Sequence, residues 1–257
     1  MKTITIQEIM SKPVHIAKSA KLTEALDKMI EQRADPLIVT NNGEVIGTVS
    51  RKSIAEKIGS KHSSNLAPAA VHVAACTEDD FTSAYPDQGI EILIPLLQHH
   101  KMVVVLDKSH NLVGQVTGGD LLKVLEPRGD IDDVIEDACT IQADERVVHL
   151  RRRMVDDNIN KFVVTEGGEV IGMVTETDVA RAMVAFKEVV EDRHQDHRIR
   201  NLLVRDIMSS PVIALERTAP LKSVVDLMLK KNVSAIPITE ERKLVGLVTR
   251  TSLVLTL

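Results

Sequence analysis

The 257-residue chain has no tryptophan, one tyrosine (Tyr85) and three phenylalanines. A core without large rings is built from Val, Ile, Leu, Met and Ala, and base-stacking platforms for single-stranded nucleic acid are almost absent. A basic excess is also lacking. Thirty-two Lys and Arg stand against 37 Asp and Glu, a formal net charge of −5, whereas a phosphate-backbone binder carries the opposite balance. Nucleic acid is therefore not an expected partner. Only two cysteines occur, Cys76 and Cys139, without CxxC spacing. In a chain of this size they are expected as reduced thiols rather than as a bridge. No apolar run approaches the ~20 residues of a membrane span, and MKTITIQEIM at the N-terminus lacks the long apolar stretch of a signal peptide. The expectation is a cytoplasmic protein without membrane contact.

What is present has the balance of a soluble globular chain, with 44% hydrophobic and 27% charged residues. This length suits one large domain or two ordinary ones, each able to bury a core. Its organisation is repetitive. GEVIGTVSRKSI (43–54), HNLVGQVTGGDL (110–121), GEVIGMVTETDV (168–179) and RKLVGLVTRTSL (242–253) share one plan. Each holds a turn, an apolar strand broken by one glycine, a Ser or Thr, and two variable residues. The marker glycines are Gly47, Gly114, Gly172 and Gly246. A second apolar strand precedes each across a polar turn: PLIVT (36–40), MVVVL (102–106), FVVT (162–165) and AIPIT (235–239). Four hairpins are predicted.

Helical stripes stand upstream of the hairpins. Leu22, Ala25, Leu26, Met29 and Ile30 fall at i, i+3, i+4, i+7 and i+8, as do Leu221, Val224, Val225, Met228 and Leu229. Repeat three gives Val147, Leu150 and Met154. Repeat two gives Ile90, Leu93, Ile94 and Leu97, with Pro95 expected to kink or shorten that helix. Short extended pieces come before the helices, at PVHI (13–16), FTSAY (81–85), ACTI (138–141) and PVIA (211–214), and a short helix follows each hairpin. The fold class is α/β (α+β), with the order strand, helix, strand, strand, helix four times over. One such unit buries too little alone, so pairs are expected to share a core. The expected halves are residues 1–127 and 128–257.

These residues resemble four CBS motifs, the family named after cystathionine β-synthase, whose tandem pairs form Bateman modules. The resemblance covers nearly the whole chain. IMSKPV (9–14), IMSSPV (207–212) and GMVTETDV (172–179) carry it most closely, and four ordered copies make it specific. It implies two Bateman modules and a regulatory binding protein rather than an enzyme. Such modules bind AMP, ADP or ATP, or S-adenosylmethionine, in clefts between paired motifs, with no cofactor required. In the family pattern a Ser or Thr is followed three residues on by Asp. The Asp takes the ribose hydroxyls, while the Ser or Thr and the helix N-terminus take phosphate.

The resemblance carries over onto Met173, Thr175 and Asp178 in repeat three, and onto Thr117 and Asp120 in repeat two. A carboxylate accepts both hydroxyls of a cis-diol, and helix N–H groups suit phosphate. Repeats one and four depart from the pattern, with Ser50 and Ser53, and Thr249 and Ser252, so the Asp is missing from both. They carry cations instead. Arg51 and Lys52 are assigned to phosphate at the Asp120 site, and Arg250 to phosphate at the Asp178 site. The adenine wall of the Asp178 site is assigned to Val212, Ile213, Val233, Ser234, Ala235 and Pro237. Val14, His15, Ala34 and Pro36 are the poorer counterparts at the Asp120 site, where Asp35 places a charge beside the base.

Plainer readings stand beside these. Thr-x-x-Asp before an apolar run is also a capping box. Arg51, Lys52 and Arg250 also fit as solvated first-turn residues, although cations there are slightly unfavourable. Glu191, His194 and His197 recur at three-residue steps in the connector 188–201, which a solvated helix face explains better than a metal. No metal site is expected. No nucleophile–base motif or P-loop marks a catalyst. The functional expectation is a nucleotide sensor read by a protein partner of unknown identity, with a homodimer possible. An S-adenosylmethionine sensor, or an interaction module with vestigial sites, is the alternative.

Overall fold

The structure, a computed structural model, describes residues 4–59, 71–189 and 201–257. The chain forms two compact units. Unit one comprises Met1–Gly129, Val225–Asn232 and Arg250–Leu257; unit two comprises Asp130–Val224 and Val233–Thr249.

In unit one the first repeat runs through α1 (Ile6–Ile9), β1 (His15–Ala17), α2 (Leu22–Glu31), β2 (Leu37–Asn41), β3 (Glu44–Val49) and α3 (Arg51–Gly59). The second runs through β4 (Thr82–Ala84), α4 (Leu93–His99), β5 (Met102–Leu106), β6 (Leu112–Thr117) and α5 (Gly118–Leu121). Each repeat makes a three-stranded sheet, ordered β1-β2-β3 and β4-β5-β6, in which the first strand pairs parallel and the hairpin antiparallel. The stripe on α2 buries Leu22, Ala25, Leu26 and Met29. Pro95 sits in the first turn of α4, where no intrahelical acceptor awaits its missing N–H. A 3-10 turn at Ile90–Ile92 precedes this seven-residue helix, the shortening that Pro95 predicted.

Unit two holds α6 (Ile131–Val134), β7 (Ile135–Glu136), β8 (Thr140–Gln142), α7 (Val147–Asp156), β9 (Lys161–Glu166), β10 (Glu169–Thr175) and α8 (Glu176–Val189). It continues with β11 (Leu215–Glu216), the first turn, Leu221–Val224, of the helix α9 (Leu221–Lys231), whose remainder belongs to unit one, and then β12 (Ala235–Glu240) and β13 (Lys243–Thr249). Its strands form one seven-stranded sheet, β11-β12-β13-β10-β9-β8, with β7 also paired to β13. The final helix, α10 (Arg250–Val254), belongs to unit one.

The strand of repeat four expected at 211–214 pairs instead at Leu215–Glu216, and the other parallel strands also begin later than expected. Just upstream in repeat one, the Val14 N–H donates to the Gln115 side chain while the Val14 carbonyl accepts from the Ile38 N–H. Each hairpin carries a register shift at or beside the partner of its marker glycine. Pairs of repeats share apolar cores, as the size of one unit demands. Ile38 packs with Met102 and Val104 in unit one, and Val163 and Met173 with Ala235 and Leu247 in unit two.

Candidate functional site

The Thr-x-x-Asp motifs stand where each hairpin's second strand enters a helix. At Thr175 both the backbone N–H (2.8 Å) and the hydroxyl (2.6 Å) donate to Asp178 Oδ2. Asp178 is half-buried, and its other oxygen meets only the Ser209 hydroxyl at 3.5 Å among the hydrogen bonds described. Thr117 holds Asp120 Oδ2 in the same way, at 2.9 and 2.8 Å. There, however, Lys123 Nζ takes Oδ1 at 2.9 Å, and Asp120 is 5% exposed. The two motifs therefore share a cap and differ in what remains open. Asp178 keeps an accessible acceptor; both oxygens of Asp120 are engaged within the chain.

Of the site residues expected beside Asp178, Met173, Val212 and Ala235 share one apolar cluster: Met173 and Ala235 are buried in it, with Val212 and Ala138 packed against them. Ser209 exchanges backbone hydrogen bonds with Met173 at 3.1 and 2.8 Å, so its hydroxyl ties this wall to Asp178. Pro237 is buried in β12, opposite Leu247. Ile213, Val233 and Ser234 are exposed. At the Asp120 site, Gln115 is the residue that stands where Met173 stands, and its Oε1 accepts from Val14 at 2.9 Å. His15 is exposed, and Ala34 and Pro36 are half-buried.

The cations are placed otherwise than the sequence suggested. Arg51 was assigned to phosphate, but its guanidinium is consumed internally. Nη2 donates to the Met29 carbonyl at 3.0 Å, Nη1 lies 3.4 Å from Asp35, and the Arg51 N–H donates to the same carboxylate at 3.0 Å. With a side chain 10% exposed, Arg51 is the counter-ion of Asp35, the charge that had looked unfavourable beside a base. Lys52 reaches Glu56 at 3.9 Å across one turn. Arg250 was assigned to the Asp178 site. Its guanidinium instead packs over Gly119, where a Cβ would stand 3.3 Å from Nη1, and Nη2 donates to Asn232 at 2.8 Å. Burial pushes the Arg250 pKa down, and the Asp120 charge opposes that shift. Its Nε is buried without a partner among the described residues. Arg250 thus belongs to the surroundings of Asp120.

Comparison with known proteins bears directly on this repeated plan. The CBS domain family profile matches four times, at residues 6–60, 73–127, 129–185 and 204–257. The chain belongs to the CBS domain family. Protein MJ1225 of Methanocaldococcus jannaschii is 23% identical over 261 residues, covering 93% of this chain and 92% of that one. Its crystal structure, that of a proposed archaeal homologue of g-AMPK, superposes with a TM-score of 0.82 at 22% identity, covering 98% and 99% of the two chains. An uncharacterized conserved protein from Pyrococcus horikoshii superposes with a TM-score of 0.64 at 19% identity, covering 98% of each. These structures share the fold. As paired CBS domains, the repeats form a module of the regulatory, ligand-sensing kind.

The CBS repeats also use residues that sequence reasoning passed over. Beside each marker glycine, one residue from the paired repeat lies against the hairpin: Ser11 against Gln115, Glu78 against Thr48, Glu136 against Leu247 and Ser209 against Met173. Their only sequence signal is a Ser after Ile-Met in two of the four copies. Cys76 is buried and Cys139 half-buried, both as free thiols. Burial pushes the Cys76 thiol up from its ordinary pKa, with Lys57 lowering it and Glu78 raising it in smaller measure. His99 ends α4 and His100 caps it. Glu191, His194 and His197 lie outside the described residues, and no metal-binding cluster occurs among those described. No described helix is long and apolar enough to cross a membrane.

Proposed function

We propose that this CBS protein senses an adenosine-type ligand in the cleft of unit two, with Asp178 accepting the ribose diol. AMP, ADP and ATP are the first candidates. The supporting observation is the half-buried Asp178 carboxylate, anchored on Thr175 through one oxygen while the other faces Ser209. Such a carboxylate is preorganised, since its rotamer is fixed before ligand arrives. Met173, Val212 and Ala235 supply the apolar surface for a base. The division into Bateman modules 1–127 and 128–257 goes with this reading, as does a partner protein that responds to the ligand-bound state.

One observation favours S-adenosylmethionine as a second ligand. The first turn of α8 carries Glu176 as well as Asp178, and the cation that the sequence assigned to phosphate here, Arg250, is engaged at Asn232. An acidic turn suits a sulfonium better than a phosphate.

Calorimetry of the full chain with AMP, ADP, ATP and S-adenosylmethionine tests both readings. Hydrogen bonds to a charged acceptor contribute about 1.5–3 kcal/mol each, so Asp178→Ala should lose about 3 kcal/mol, roughly a hundredfold in affinity. A folded Asp178→Ala chain that binds as tightly as the parent reduces Asp178 to a helix cap and overturns the proposal.

A further inference from the structure

The two repeats without the motif Asp are not without a carboxylate. The residue that lies against each hairpin just after the marker glycine is fixed by backbone pairing, so the four positions are equivalent in register. In repeats two and three, which carry Asp120 and Asp178, this neighbouring residue is Ser11 or Ser209. In repeats one and four, which carry Ser53 and Ser252 at the Asp position, it is Glu78 or Glu136. Serine and acid have changed places in both incomplete repeats.

The exchange is completed at the level of contacts. The motif hydroxyl of repeat one, Ser50 Oγ, donates to Glu78 Oε2 at 3.1 Å. That of repeat four, Thr249 Oγ1, donates to Glu136 Oε1 at 3.3 Å. Thr117 and Thr175 donate instead to their own Asp at i+3. Every motif hydroxyl therefore holds a carboxylate, from its own repeat in two cases and from the paired repeat in the other two. A carboxylate offers about four acceptor positions, and one hydroxyl occupies a single position. Glu78 and Glu136 are both solvent-exposed, so a ligand can reach them.

We propose that Glu136, and by the same exchange Glu78, are the diol acceptors of the two clefts that lack a motif Asp, supplied from the opposite wall. The proposal rests on the reading of Asp178 given above and extends it from one ligand position to a second within unit two. A ligand at the Glu136 cleft would be a vicinal diol of the adenosine type, its ribose held by the paired repeat rather than by the helix that follows the motif.

The test counts sites on the full chain by equilibrium dialysis and calorimetry. AMP is the probe, or S-adenosylmethionine where AMP does not saturate the Asp178 cleft. Glu136→Gln preserves size and an acceptor oxygen but removes the charge. It should weaken one class of site about tenfold or more, while Asp178→Ala removes a different one. The 2′-deoxy analogue of AMP should show the same deficit at the Glu136 cleft as the Gln variant. If Asp178→Ala removes a site and Glu136→Gln changes neither number nor affinity, this inference falls and the Asp178 reading stands. If the parent binds neither probe, both fall. In unit one, Glu78→Ser should lose binding at its cleft, and Glu78→Ser combined with Ser53→Asp should regain it by rebuilding the arrangement of the complete repeats. Circular dichroism confirms folding of each variant, and a folded double variant that stays inert overturns the exchange.

Discussion

Asp120 and Asp178 occupy the same place in the same motif, yet their surroundings assign them different work. Asp120 is buried, takes Lys123 on one oxygen and the Thr117 cap on the other, and offsets the charge of the desolvated Arg250. Removing it leaves the Thr117 donors without their acceptor and takes away the charge that opposes the desolvation of Arg250, and a lost hydrogen bond to a charged group costs about 1.5–3 kcal/mol. Asp178 is more open and contributes chiefly a cap of about 1 kcal/mol. Asp120→Ala should therefore destabilise the protein by about 3 kcal/mol, a fall of roughly 10 °C in melting temperature for a chain of this size. Asp178→Ala should lower it by only about 3 °C while abolishing most ligand affinity. Thermal melts of the two variants side by side decide the point, and equal shifts would show that the two carboxylates are equivalent. The sequence made both motifs legible but not this difference, because Lys123 and Arg250 decide it and Arg250 lies 130 residues away along the chain. The same limit explains Arg51. Its partner Asp35 stands 16 residues upstream, across a hairpin, and no local period marks such a pairing.

Between residue and element stand the marker glycines. They were the clearest signal in the sequence, recurring in four hairpins, but their physical reason is visible only in the fold. Each leaves room for a segment of the paired repeat to lie against the strand. At Gly47 a Cβ would stand 2.2 Å from the Glu78 carbonyl oxygen, a backbone atom held by reciprocal hydrogen bonds with Thr48. At Gly114 the nearest atom is Met10 Sδ at 2.6 Å, the far end of a flexible side chain. Overpacking costs about 1–3 kcal/mol depending on what must move. Gly47→Ala is thus expected near 3 kcal/mol and Gly114→Ala near 1 kcal/mol, measured by urea denaturation; the reverse order would refute the role given to the segment at Glu78. Helices and hairpins were legible because their period is local. The neighbouring residues Ser11, Glu78, Glu136 and Ser209 were not, because pairing with a hairpin tens of residues away leaves no period to read.

Across the whole chain, the four repeats and the two compact units do not coincide. Arg250–Leu257 end the fourth repeat but belong to unit one. Val254 is 1% exposed in a core that includes Ile6, Leu97 and Leu121, and Leu257 packs against it. The Arg128 N–H donates to the Thr256 carbonyl at 3.2 Å, which fastens the end of the first half to the residues that follow α10. A division at residue 127, natural from the repeats, would take these residues away from the core they complete. The consequence is measurable without dividing the protein. A chain that stops at Thr249 loses the burial of Leu253 and Val254, worth about 1.5–3 kcal/mol each. With roughly 4 kcal/mol removed, its melting temperature should fall by about 10 °C. Val254→Asp should reproduce much of that fall, since an unpaired carboxylate in an apolar core costs several kcal/mol. Binding at Asp178, within unit two, should be retained at temperatures where the shortened chain remains folded. Circular dichroism melts of the full and shortened chains decide it: coincident curves would mean that unit one completes its core without α10.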